Sequence, residues 1–140
     1  MQVQPYLFFE GRCEEAIDFY REALGAEVLM LMRMKDSPDP QEHQRIPPGS
    51  ENKVLHACFR IGETEVMASD GSCSGQPNFA GFSLSLGAPN EAEADRLFAA
   101  LSKGGEVRLP LTKTFFSPRF GMLADRFGVG WMIIVAPPES

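Results

Sequence analysis

The sequence predicts an α+β fold in which one β-α-β-β-β unit is used twice. Three observations point there. Two segments carry apolar residues at the same relative spacing: Cys13, Ala16, Ile17 and Tyr20 in one, Ala94, Leu97, Phe98 and Leu101 in the other. Steps of three and four put each set on one helical face. Each segment is closed by glycine, Gly25 in the first and Gly104-Gly105 in the second. Apolar runs of strand length flank both. Two matched helices of about 13 residues, each about 20 Å long, indicate a duplicated module within one domain of residues 1–140. Module one is set at 1–70, a linker at 71–79 and module two at 80–137.

The elements follow in order. Residues 3–9 form an extended apolar run, with Pro5 marking an edge strand that tolerates a missing N–H. Gly11 is read as the helix N-cap, and Glu14 and Glu15 place negative charge in the first turn, where the helix dipole favours it. Gly25 sits where a left-handed cap ends a helix. Residues 28–34 read as a second strand whose Met30, Met32 and Met34 share one face, suited to core or interface packing. The Pro-rich polar stretch 36–52, which holds His43 and Arg45, reads as a long loop. In 54–61, Leu55, Ala57, Phe59 and Ile61 alternate with Val54, His56, Cys58 and Arg60. Gly62-Glu63 then turns the chain into a strand over 64–69.

A Gly/Ser/Pro-rich linker leads to the second module. From Gly81, the residues Phe82, Leu84 and Leu86 alternate with Ser83 and Ser85, the pattern of a half-buried strand. Asn90 with Glu93 resembles a capping box. Strands follow over 107–111, with Pro110 indicating an edge, and then over 121–124 and 131–135. Between them lie the aromatic pair Phe115-Phe116 and a turn at 125–128.

Composition narrows the classes of function. With 44% hydrophobic residues, the chain has the apolar content of a folded globular domain. A net charge of −6, with no basic stripe, argues against nucleic acid or an anionic membrane as partner. No run approaches the roughly 20 apolar residues of a membrane span. Cys13, Cys58 and Cys73 lack CxxC spacing and read as reduced thiols of a cytoplasmic protein. Methyl transfer from S-adenosylmethionine finds no support either. Its usual fold has a Gly-rich turn after the first strand, whereas Gly104-Gly105 ends a helix and Gly128-Val129-Gly130 joins strands.

Several stretches resemble a known family. They are Glu15-Ala16-Ile17-Asp18-Phe19-Tyr20, His56-Ala57-Cys58-Phe59-Arg60-Ile61-Gly62, Ser117-Pro118-Arg119-Phe120-Gly121, and Asp125-Arg126-Phe127-Gly128-Val129 with Trp131. Together they resemble the PhnB-like, or 3-demethylubiquinone methyltransferase-like, branch of the vicinal oxygen chelate superfamily, which includes glyoxalase I and the bleomycin-resistance proteins. The resemblance implies the glyoxalase/bleomycin resistance fold, with curved sheets, helices on the convex side and a cavity on the concave side. It also implies a homodimer.

In metalloenzymes of that superfamily the cavity holds a divalent ion on His and Glu side chains from four strands. The flanking motifs align those positions with Pro5, Met67, Gly81 and Met132, and a shift at Met67 would bring in Glu65. Pro and Gly offer no side-chain donor, and thioethers suit soft ions rather than hard divalent ones. No metal ligand and no cofactor are therefore expected, with a divalent metal held through His56 and nearby carboxylates as the alternative. The expected ligand is a small molecule, contacted by His56, Arg60, Met67, Ser69, Ser83, Arg119 and Met132, with Leu7, Cys58 and Ser85 on the same wall. His56 is the candidate acid or base, because imidazole changes charge near neutral pH; a hydrogen-bonded structural histidine is the other reading. Arg60 and Arg119 suit an anionic group, or else a surface ion pair of Arg60 with Glu65 and a structural contact of Arg119 under the Phe115-Phe116 loop.

Overall fold

The computed structural model describes residues 1–39 and 48–136. His43 and Arg45 lie outside the described residues. The elements are β1 (Tyr6–Phe8), α1 (Cys13–Leu24), β2 (Glu27–Arg33), β3 (Val54–Ile61), β4 (Thr64–Ser69), β5 (Leu84–Ala88), α2 (Glu91–Ser102), β6 (Glu106–Thr112), β7 (Phe120–Ala124) and β8 (Gly130–Val135). A 3-10 turn, Met34–Asp36, follows β2. The chain divides into two units between Pro77 and Asn78.

Both units have the same topology. The first sheet runs β1-β4-β3-β2 and the second β5-β8-β7-β6. In each, the strand before the helix pairs in parallel with the last strand of its unit, and the other pairings are antiparallel. The repeat expected from the helix spacing is therefore a repeat of β-α-β-β-β topology.

Each helix covers one face of its own sheet. In the first unit, Cys13, Ala16, Ile17 and Tyr20 are buried against Leu7, Ala57, Phe59, Val66 and Ala68. The Tyr20 and Phe59 rings stack with centroids 5.9 Å apart. Burying a side chain of this size contributes about 1.5–3 kcal/mol. In the second unit Ala94, Leu97 and Leu101 are buried along with Leu123, Trp131 and Ile133.

The start of α1 is built differently from the expected Gly11 cap. Arg12 occupies the cap position and makes no capping bond with its side chain. The cap comes instead from Asp70, 57 residues away from Cys13 at the end of β4. Its Oδ1 accepts the N–H groups of Gly11 and Cys13 at 2.9 and 2.8 Å, and its Oδ2 accepts that of Val54 at 2.6 Å. One buried carboxylate thus ties the helix start to β3 and β4, beside the positive end of the helix dipole. Asn90 does cap α2, accepting the Glu93 N–H at 2.8 Å.

Gly25 has φ 68° and directs its N–H to the Arg21 carbonyl, the left-handed cap read from the sequence. Gly105 answers to space rather than to φ. A Cβ there would lie 2.2 Å from the Ala124 carbonyl oxygen, so β6 leaves the helix directly against the end of β7.

Some boundaries and one face differ from expectation. β1 covers only Tyr6–Phe8, and Val3 is exposed. β5 begins at Leu84, which leaves Phe82 exposed and Ser83 ahead of the strand. Met34 lies in the 3-10 turn and is buried, so it does not share the face of Met30 and Met32. Leu7 belongs to the helix-covered core at 1% exposure, not to the wall opposite it. The run from Tyr6 to Phe9 is continuously apolar, so alternation could not show which residues face the helix, and a one-residue slip exchanges the two faces.

Candidate functional site

The face of the first sheet turned away from α1 holds His56, Arg60 and Met67 of the expected contacts. On β3 it bears His56, Cys58 and Arg60, the residues alternating with buried Ala57 and Phe59. Across from Cys58 stand Met67 on β4 and Met30 on β2, and Met32 stands across from His56. On β1 the face is formed by Tyr6, in register with Met67, and Phe8, in register with Ser69.

Tyr6 and His56 are the polar centre of this face. The Tyr6 hydroxyl lies 2.9 Å from His56 Nδ1, and the two rings stack with centroids 5.5 Å apart. Phe8 packs against Tyr6 at 4.9 Å. Burial pushes the Tyr6 phenol up, partly offset by the Ser69 hydroxyl, while the Cys13 thiol adds to the rise. The tautomer of His56 sets which partner of the Tyr6–His56 hydrogen bond donates. Burial, followed by the charge of Glu65, pushes the Cys58 thiol up as well.

The other expected contacts are distributed as follows. Arg60 pairs with Glu27 on β2 at 2.5 Å, while Glu65 accepts from Gln4. Ser69 is buried, and its hydroxyl accepts the Gly71 N–H at the end of β4. In the second unit, Met132 shares the open face with Ser85, Met122 and Leu109. Ser83 packs close to Gly130. Arg119 places Nε 3.3 Å from Asp95 Oδ1 on α2, without a well-directed hydrogen bond. The structure therefore brings His56 and Met67 together on one sheet and puts Met132 on the other. Sequence reasoning missed Tyr6 and Phe8, whose only signal was an aromatic at every second place in a run too apolar to read.

The serine-proline-arginine and aspartate motifs of the second unit build its frame. Ser117 Oγ accepts the Val135 N–H and donates to the Val135 carbonyl, fastening the loop to β8. Asp125 Oδ1 accepts the N–H groups of Phe127 and Val129, and Oδ2 accepts the Trp131 indole N–H at 2.9 Å.

A cleft of about 710 Å³ lies elsewhere in the first unit, at the start of α1, lined by Glu14, Asp18, Arg33, Lys53 and Asp70 among others. Its cations are engaged. Arg33 holds Glu14 at 2.7 and 3.1 Å, and Lys53 donates to the Gly11 carbonyl at 2.8 Å. The Arg33 hydrogen bonds keep the Glu14 carboxyl below its ordinary range.

The donor set does not fit a hard divalent ion. Around His56, the first sheet's open face presents two kinds of sulfur, aromatic rings and a phenol, and no group of three His, Cys, Asp or Glu side chains that could hold a metal occurs among the described residues. Catalytic zinc typically requires three protein ligands of N, O or thiolate type.

The model of the family described as 3-demethylubiquinone-9 3-methyltransferase matches residues 1–134. The chain belongs to this family. Over 144 residues it is 34% identical to Protein YjdN of Escherichia coli (strain K12), covering 99% of this chain and 98% of that protein. Among solved structures, protein PA1353 from Pseudomonas aeruginosa is similar at 38% identity and a TM-score of 0.83, with 97% of this chain and 98% of that one covered. A putative 3-demethylubiquinone-9 3-methyltransferase, PhnB protein, from Bacillus cereus follows at 30% identity and 0.79, with 97% and 100% covered. A glyoxalase-related enzyme from Fulvimarina pelagi shares the fold, with a TM-score of 0.63 at 16% identity over 100% of this chain and 93% of that one. The 3-demethylubiquinone-9 3-methyltransferase family member described here thus has the glyoxalase/bleomycin resistance fold, as the sequence motifs imply.

Proposed function

We propose that the protein binds an organic small molecule on the open face of its sheets, as a homodimer and without a divalent metal. The observation that carries this reading is the Tyr6–His56 pair, one hydrogen-bonding point set among Phe8, Met30, Met32 and Met67. An apolar wall with a few placed polar groups is how small-molecule sites are generally built. Methionine adapts such a wall to irregular ligands. With Arg60 already paired to Glu27, the wall favours a neutral ligand over an anion.

A second reading makes His56 an acid or base. The Tyr6 contact orients the imidazole through Nδ1 and leaves Nε2 as the nitrogen able to exchange a proton with a bound molecule. Methyl transfer, which the family description names, receives no support from the fold. The parallel β1–β4 and β5–β8 pairs enclose no Gly-rich turn leading from strand to helix.

Native mass spectrometry of the purified chain after incubation with a soluble metabolite extract tests the binding reading. The parent is expected to retain an organic mass that Tyr6→Phe weakens and His56→Ala loses. No retained mass, or one indifferent to both substitutions, contradicts it. Any turnover that His56→Ala leaves intact removes His56 from the chemistry.

A further inference from the structure

The open face of the first sheet holds three sulfur side chains in one cross-strand row. Met30 on β2 stands opposite Cys58 on β3, and Cys58 stands opposite Met67 on β4. Residues opposite one another in antiparallel strands share a face, with Cβ atoms about 4.5–5.5 Å apart. The alternate positions, Ala57, Phe59, Val66 and Ala68, are buried under α1, so the row is on the uncovered side. Met30 is 40% exposed, and Cys58 and Met67 are partly so. A central thiol flanked by two long, unbranched thioethers allows all three sulfurs to converge on one point above the middle strand.

We infer that Met30, Cys58 and Met67 form a binding site for a soft monovalent metal ion, Cu(I). Thiolate and thioether ligands select Cu(I), whereas carboxylate, carbonyl and water suit hard ions. No carboxylate belongs to the row; Glu65, two positions from Met67, is engaged by Gln4. Coordination exchanges the Cys58 S–H bond for an S–Cu bond and releases the proton to water. The ion stays Cu(I), and no electron moves. Because a thiol ligates as the thiolate, the ion must displace a proton and affinity rises with pH. The remaining cysteines lie apart from the row, Cys13 buried at the start of α1 and Cys73 in the loop after β4.

Anaerobic competition between the purified chain and a chromophoric Cu(I) chelator, bathocuproine disulfonate, reads the site directly. The parent is expected to withdraw one Cu(I) per chain. Cys58→Ser should weaken binding by about a hundredfold, and Met67→Leu or Met30→Leu, which keep side-chain volume, by about tenfold each. Cys73→Ser should bind as the parent does, and circular dichroism checks that every variant is folded. His56→Ala, which the small-molecule reading requires to fail in its own assay, should keep its Cu(I) affinity, so the two readings can fail separately. A parent that withdraws no Cu(I), or a folded Cys58→Ser or Met67→Leu variant that binds as tightly as the parent, overturns the inference.

Discussion

Asp70 shows how a single side chain can set the geometry of a unit. Its two oxygens satisfy three backbone donors drawn from the start of α1 and from β3, at 1% exposure. Removing such an acceptor leaves buried N–H groups unpaired, each costing on the order of 1–3 kcal/mol. Asp70→Ala should therefore lower stability by about 3 kcal/mol or more in urea unfolding, while Asp70→Asn, which keeps one acceptor oxygen, should cost less. Cys13 beside it gives a pH test. Burial first, then the charges of Asp70 and Glu14, raise its thiol far above the ordinary range. The folded chain therefore holds the proton where the unfolded chain releases it. That contribution is complete below the unfolded thiol's pKa, about 8.5, and is lost as pH rises toward the folded value. Thermal unfolding should weaken in alkali above that point, and Cys13→Ala should flatten the dependence. The residues of the site were only partly legible. The alternation of their strand, with Leu55 and Phe59 read as the helix-packed side, puts His56, Cys58 and Arg60 on the opposite face. Tyr6 and Phe8 were not legible, because β1 is apolar at every position and only its register with β4 reveals its outer face.

At the scale of elements, helix ends carry most of the local information. Asn90 was recognisable because a side-chain cap is written within three residues of its target. The cap of α1 was not, because Asp70 reaches it across 57 residues and no local spacing encodes that contact. Asn90→Ala should cost about 1 kcal/mol. Gly105→Ala should cost about 1–3 kcal/mol despite its ordinary φ, because the added Cβ meets the Ala124 carbonyl and one of the two strands must move. Both are readable as shifts in denaturant midpoint at unchanged slope. The paired hairpin strands β3 and β4 were delimited well, since alternation and the Gly62 turn agree. β5 was placed two residues early because Phe82 continues the apolar alternation beyond the point where the sheet pairs.

For the molecule as a whole, duplication accounts for the fold and donor chemistry for the proposed function. Two helices with the same apolar spacing specify two sheets of the same strand order, a pattern legible because it recurs. What the repeated scaffold does is not legible from the repeat, since a fold does not specify the chemistry it hosts. Here those side chains are a phenol–imidazole pair, thioethers, a thiol and aromatic rings, a set suited to an organic ligand and poorly suited to hard divalent ions. Among the described residues no helix is long and apolar enough to cross a membrane. The measurement that tests this account most directly is native mass spectrometry of freshly purified, untagged protein with metal analysis of the same sample. The account predicts a dimer that holds an organic mass and no stoichiometric divalent metal. A chain that carries one divalent ion and no organic molecule would contradict it.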